Sequence, residues 1–243
     1  MPQTALSLPV STTTESDLVA CSADYLGAVR RGQPTDEYRT RLAGTSFTAL
    51  RRDLPTDDHK RAFWLNVYNA AVQDVLTDDP GRFSRWRFFR KPLVAVANRE
   101  LSPDDIEHGL LRRSQTAWGL GYVPKPLPSG FERGLRVESV DPRIHFALNC
   151  GAASCPAIEA YSAADIDAEL DLAAETYLST EVAYDPDRNV ARVPRLCRWY
   201  RGDFGGPEGV RRLLRRYDVI PADADPRLTY ADYDWDLSLG NYR

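Results

Sequence analysis

The chain has 243 residues, 43% of them apolar, with 31 Lys and Arg against 35 Asp and Glu for a net charge of −4. That length allows one large domain, or one domain with an appendage, and the mild acidic balance gives no electrostatic reason to expect nucleic acid as a partner. No run approaches the roughly 18 apolar residues of a membrane span. The opening MPQTALSLPVSTTTESD lacks a basic start and an unbroken apolar stretch, so it does not read as a secretory signal, and the expected compartment is the cytoplasm, where cysteines stay reduced.

In chain order, a polar leader precedes a helix over Glu15–Arg31, closed by Gly32 and Pro34. DEYRTRLA and SFTALRRDL read as two short helices, ended by Gly44 and Pro55. Residues 1–45 are expected to form a leader and helical extension, and residues 46–243 the functional domain. The strongest helix is TDDHKRAFWLNVYNAAVQDVLTDDP, capped by Thr56 or Asp57 and apolar around much of its girth. Asn66 and Asn69 stand out there, because a buried amide is costly without partners. They either lock packing through backbone hydrogen bonds or line a substrate site.

FSRWRFF is an aromatic-basic cluster, and PLVAVANRELS predicts a β-hairpin around Asn98–Arg99. SPDDIEHGLLRR predicts a helix with Ser102 as N-cap and Pro103 in its first turn. GLGYVPKPLPSG is a Pro/Gly-rich loop long enough to cover a cleft. A strand is expected over Ile144–Leu148, a helix capped by Ser162 in YSAADIDAELDLAAETYLST, and a hairpin around Asp185–Pro186. EGVRRLLRRYD predicts a last amphipathic helix, and RLTYADYDWDLSL an extended tail. Helices dominate and the short strands do not alternate with them. The expected class is therefore α+β, a helix-rich domain around a small, mostly antiparallel sheet.

The chemistry concentrates in RIHFALNCGAASCP. A strand ending at Asn149-Cys150-Gly151 would set a thiol at the lip of a sheet, with Gly151 free to turn and the freed N–H groups able to hold an oxyanion. A thiol nucleophile needs a base or a positive neighbour, and the histidines are His59, His108 and His145. In a straight strand His145 would face away from Cys150, whereas His108 lies on another element. His59, at a helix start, reads as solvated or capping, and Cys21 and Cys197 as core residues. A zinc site from His108, His145, Cys150 and Cys155, a Cys150–Cys155 disulfide, and a non-catalytic interaction domain are competing readings. No phosphate-binding loop, dinucleotide fingerprint or metalloprotease motif is present, and no cofactor is expected.

FWLNVYNA, RELSPDDIEHGLLR, DPRIHFALNCGAASCP and YDWDLS together resemble the family catalogued as domain of unknown function 547, over about Thr56 to Ser238. That family has been likened to papain-like thiol hydrolases, and the resemblance implies a papain- or transglutaminase-like core with a Glu-His-Cys constellation. Carried over, it makes Cys150 the nucleophile and His108 the base before His145, with Glu107 in a supporting role, although neighbouring helical side chains diverge by about 100° and cannot pair head-on. The expected activity is that of a cysteine-dependent hydrolase or acyl transferase on a peptide, amide or thioester substrate. Asn66, Asn69 and Asn149 are expected to bind that substrate or orient the histidine.

Overall fold

In the computed structural model the described residues are 17–84 and 86–243; the expected polar leader lies outside them. Helices α1 (Asp17–Arg30), α2 (Asp36–Gly44) and α3 (Phe47–Asp53) lead into the long α4 (Asp57–Asp78). Ser46 and Thr56 cap α3 and α4 by accepting the N–H groups of Ala49 and His59. Helix α4 is buried on every side from Ala62 to Gln73, as its apolar circumference requires. Strands β1 (Val94–Val96) and β2 (Arg99–Leu101) form the expected hairpin. Ala97 and Asn98, both at positive φ, make its two-residue turn.

The segment after Ser102 departs from a regular helix. Ser102 caps it reciprocally with Asp105, but Asp105–Leu111 winds as a π-helix, with the Arg112 N–H reaching back five residues to the Glu107 carbonyl. Such widened turns recur at functional sites. Helix α5 (Gly130–Leu135) follows the Pro/Gly-rich loop. It carries a full capping box between Ser129 and Glu132, a signal legible in the S-x-x-E spacing.

The strand expected over Ile144–Leu148 is absent. Pro142–Phe146 is instead a 3-10 turn, begun by Asp141, whose side chain accepts the Arg143 N–H. Pro142 presets φ, and this capping competes with extended backbone. Helix α6 spans Ile166–Glu181, four residues beyond the expected cap; Ser162 instead braces the preceding turn by accepting the Asp165 N–H. Strands β3 (Ala183–Asp185) and β4 (Val190–Val193) form the second hairpin. After α7 (Leu196–Trp199) and α8 (Gly206–Arg216), strand β5 (Arg227–Tyr230) pairs parallel to β4, where only an extended tail was expected. The class is α+β: helix-rich, with one two-stranded and one three-stranded sheet among the described residues.

Two apolar clusters fill the interior. The larger joins α1, α4, the first hairpin and the π-helix through residues such as Leu26, Trp64, Val96 and Ile106. The smaller joins the second sheet to α8 through Ala191, Val193, Cys197 and Leu214. Ile144 and Ala147 belong to the first and Phe146 to the second, so the 3-10 turn is the seam between them. His145 therefore sits where the two cores meet. Among the described residues no helix is long and apolar enough to cross a membrane.

Candidate functional site

Helix α4 carries a row of three buried amides, Asn66, Asn69 and Gln73, at helical spacing. Asn66 donates to the Tyr161 carbonyl (2.8 Å) and Ser22 Oγ (3.2 Å) and accepts the Tyr161 N–H (2.8 Å). Asn69 donates to the Ala147 carbonyl and accepts the Asn149 N–H, both at 2.9 Å. Gln73 reaches Asn149 Oδ1 and accepts the Gly240 N–H. Asn149 in turn donates to the Pro156 carbonyl (2.7 Å) and accepts the Gly151 N–H (2.8 Å), closing the Cys150–Pro156 loop on itself. All three asparagines are fully buried with their amides committed to the protein's own chain: Asn69 and Asn149 brace the loop, and Asn66 holds the Tyr161 backbone against α4 and α1.

Within that loop Gly151 turns at φ +90°. Cys150 and Cys155 meet with their sulfurs 3.0 Å apart. Tyr233, arriving from the C-terminal segment, places its hydroxyl 3.2 Å from Cys155 Sγ and 3.8 Å from Cys150 Sγ. The Cys150 N–H donates to Cys155 Sγ at 3.1 Å. The turn N–H groups expected to be free for an oxyanion are therefore spent, on Cys155 and on Asn149. Burial opposes ionisation of Cys155. The Cys150 thiol, the Tyr233 hydroxyl and the Cys150 and Ala152 backbones together outweigh it and bring Cys155 down to about 7. Its hydrogen bond to Cys155 and its own burial push Cys150 well above the thiol range. The pair thus gives up its first proton near neutrality, with the charge resting on Cys155.

Neither histidine is among the hydrogen-bond partners of Cys150. Arg112, wholly buried, donates to His108 Nδ1 at 2.7 Å and grips Asp203 with two hydrogen bonds of 2.6 and 3.1 Å. An imidazole that accepts a guanidinium N–H at Nδ1 carries its own proton on Nε2. Burial pushes His108 down to about 4. In this arrangement the residue expected to be a base is a neutral donor. Its Nε2 lies 3.5 Å from Asp104, which burial and the Glu107 charge push up to about 7. His145 Nε2 meets Asp203 at 2.8 Å while its ring stacks on Tyr200 at 3.8 Å, and burial lowers its pKa. One ion pair, Arg112–Asp203, therefore sets the tautomers of both histidines.

Glu107 is buried on the π-helix, 3.6 Å from His108 Nδ1, beyond hydrogen-bonding range, and its Oε1 has no hydrogen-bond partner. Burial works against its charge, but the positive neighbours His108, Arg112 and His145, with the Tyr200 hydroxyl, hold its pKa below the usual range. Because His108 is neutral at ordinary pH, Arg112 is the lasting source of that positive field. Glu107, His145, Cys150 and Cys155 line one cavity of about 50 Å³, walled by Tyr68, Trp199, Tyr200, Tyr233 and Trp235. His108, Asp104 and Glu107 line an adjoining outer cleft of about 290 Å³ with Trp86, Trp118 and Trp235. Glu107, Phe89, Trp199, Tyr200 and Trp235 are common to both and form the partition.

Three of the four expected catalytic residues thus share a cavity and the fourth lies across its wall. The segment Ala117–Leu120 forms part of the outer cleft, whereas Leu127 of the expected lid faces a different groove. Gly121 fixes that segment: a Cβ there would fall 2.7 Å from the Asp203 nitrogen, at φ +85°. Arg112, Tyr200, Asp203 and Tyr233 were missed by the sequence reading. Two of them stood inside the blocks that carry the family resemblance, Arg112 as the last residue of RELSPDDIEHGLLR and Tyr233 as the first of YDWDLS; Tyr200 and Asp203 carried no signal. Among the described residues no group of three or more His, Cys, Asp or Glu is arranged to hold a metal ion. The four proposed zinc ligands do not converge; both histidines are turned to Arg112 and Asp203.

No curated protein and no solved structure matches the chain. A family model does match, over residues 52–178, which hold α4, the π-helix and the cysteine loop but not the Tyr233 segment. With that match over more than half its length, the chain belongs to the family described as Protein of unknown function, DUF547.

Proposed function

We propose that the protein is a cysteine-dependent hydrolase or acyl transferase acting on an amide or thioester carbonyl, with Cys150 as nucleophile and Cys155 as its base. The single observation that supports this reading most is the sulfur pair at 3.0 Å, with donors gathered on Cys155. Cys150 is the more exposed of the two, and Cys155 is placed to take its proton. Attack on the carbonyl carbon forms an acyl-Cys150 bond as the substrate's C–N or C–S bond breaks, and Cys155 returns its proton to the leaving amine or thiolate; water or an amine then resolves the acyl-Cys150, releasing the acid or a new amide and returning the Cys150 thiol. Tyr233 steadies the charge on Cys155. Glu107, with an oxygen unspent in the same cavity, accepts a hydrogen bond from the substrate, and His108 donates through Nε2 into the outer cleft. The cavity of about 50 Å³ at the sulfur pair adjoins the outer cleft of about 290 Å³ across the aromatic partition, which is the larger space for a substrate. The comparison with papain-like enzymes is part of this proposal, as is a cytoplasmic location.

Iodoacetamide labelling tests the mechanism. The Cys150–Cys155 pair is expected to react in the native protein with a pH midpoint near 7, at which the pair gives up its first proton, and Cys155→Ser to move that midpoint upward. A Cys150 that resists labelling, or reacts only with the midpoint of an ordinary thiol near 8.5, would remove its main support.

A further inference from the structure

The same loop has a second chemical property that acyl transfer does not need. Two sulfurs at 3.0 Å, on a five-residue step closed by Asn149, are already oriented toward one another. A bonded pair requires about 2.05 Å, so closure asks for about 1 Å of movement. Nothing stands between the sulfurs, and Tyr233 lies beside both. The loop is tied to α4 through Asn69 and Gln73, on the Asn149 side of Cys150, so bond formation does not require that anchor to move. The other two cysteines offer no such partner: Cys21 and Cys197 are buried in α1 and α7.

We propose that Cys150 and Cys155 are a dithiol redox site, which exchanges with small external disulfides to form a reversible Cys150–Cys155 disulfide. Cys150 passes its proton to Cys155 and attacks one sulfur of R–S–S–R, breaking that bond, releasing RS⁻ and forming a mixed disulfide. Cys155 then attacks Cys150 Sγ and expels the second RS⁻, to which its proton goes. Two electrons leave the protein, and the external disulfide departs as RSH and RS⁻. Because the reaction consumes the nucleophile assigned above, the oxidised protein is switched off and a small thiol restores it. The disulfide exchange goes beyond acyl transfer and does not depend on it; only the switching-off rests on that reading.

The test incubates native full-length protein in graded mixtures of oxidised and reduced glutathione, quenches with acid, denatures, and counts thiols by maleimide mass shift. The expected result is a loss of two of the four labels, a product about 2 Da lighter before labelling from loss of two hydrogens, and a linked peptide pair containing Cys150 and Cys155. Dithiothreitol should restore all four labels. Cys155→Ser should instead accumulate a glutathione adduct on Cys150, and a Cys21→Ser, Cys197→Ser double variant should titrate like the parent. Four labels retained at every ratio, or a link that forms only between molecules or after denaturation, overturns the inference. A protein that alkylates near pH 7 yet never forms the link loses this inference alone. One that forms the link but alkylates only as an ordinary thiol supports it and loses the acyl-transfer reading alone.

Discussion

Cys155, in the loop below α4, and Cys197, in α7, are equally hidden, at 5% and 1% exposure, yet the two regions treat a thiol in opposite ways. Cys197 is packed among Ala191, Val193 and Leu214, and burial pushes it up to about 12. Cys155 meets a backbone N–H, a phenol and a second thiol, and falls to about 7. Burial alone penalises charge, but it also strengthens any hydrogen bond that the charge accepts. The outcome is decided by the donors, not by the depth.

The comparison predicts, first, a large difference in reactivity. At neutral pH about half of the Cys155 population is thiolate, against about 10⁻⁵ for Cys197. Quantitative alkylation of the native protein, resolved by peptide, should therefore find the Cys150–Cys155 loop labelled and Cys197 untouched. Comparable labelling of both regions would dissolve the distinction.

Removing the anchor should erase the difference from the other side. Asn69→Ala leaves the Ala147 carbonyl and the Asn149 N–H unpaired, at about 2–4 kcal/mol in total. Urea denaturation should show that loss of stability, and the alkylation midpoint should rise as the loop loosens. The pH dependence of stability adds a signed test. A thiol lowered from 9.0 to about 7 on folding contributes stability that is complete above pH 9 and lost as pH falls through 7. The parent should therefore become more stable between pH 7 and 9 in thermal melts. Cys155→Ser should flatten that rise, whereas Cys197, raised on folding, contributes only above pH 9 and with the opposite sign.

Smaller changes refine the picture. Tyr233→Phe deletes one donor to a charged sulfur, worth about 1.5 kcal/mol, and should raise the alkylation midpoint by about one pH unit, with a matching loss of stability only at alkaline pH. Cys197→Ala removes only a packed sulfur, at about 1 kcal/mol, and should leave the midpoint where it was. A shifted midpoint in Cys197→Ala would mean that the two regions are coupled rather than merely contrasted.

Much of the fold was legible. Capping residues and apolar period located α2, α3 and α4 to within a residue or two, and the two hairpins followed from their turn residues. The failures have local causes. Ile144–Leu148 looked like a strand because it is apolar and β-branched at its start. The Asp141–Pro142 pair ahead of it nucleates a 3-10 turn, so the strand argument that set His145 and Cys150 on opposite faces does not apply. Ser102 and Pro103 announce a helix start, but nothing in DIEHGLL announces that the turn widens to five residues.

From the residues alone came the candidates: Cys150 beside its glycine, Cys155 five positions on, Glu107 and His108 together, and two asparagines on an apolar helix. Only the tertiary structure decided what each does. Asp203 reaches His145 from 58 positions away, and Tyr233 reaches Cys155 from 78. Protonation depends on which donors lie within hydrogen-bonding distance, and chain spacing says nothing about groups so far apart in sequence. The sequence could therefore name two cysteines and two histidines, but packing turned the histidines toward Asp203 and Arg112 and the two sulfurs toward each other.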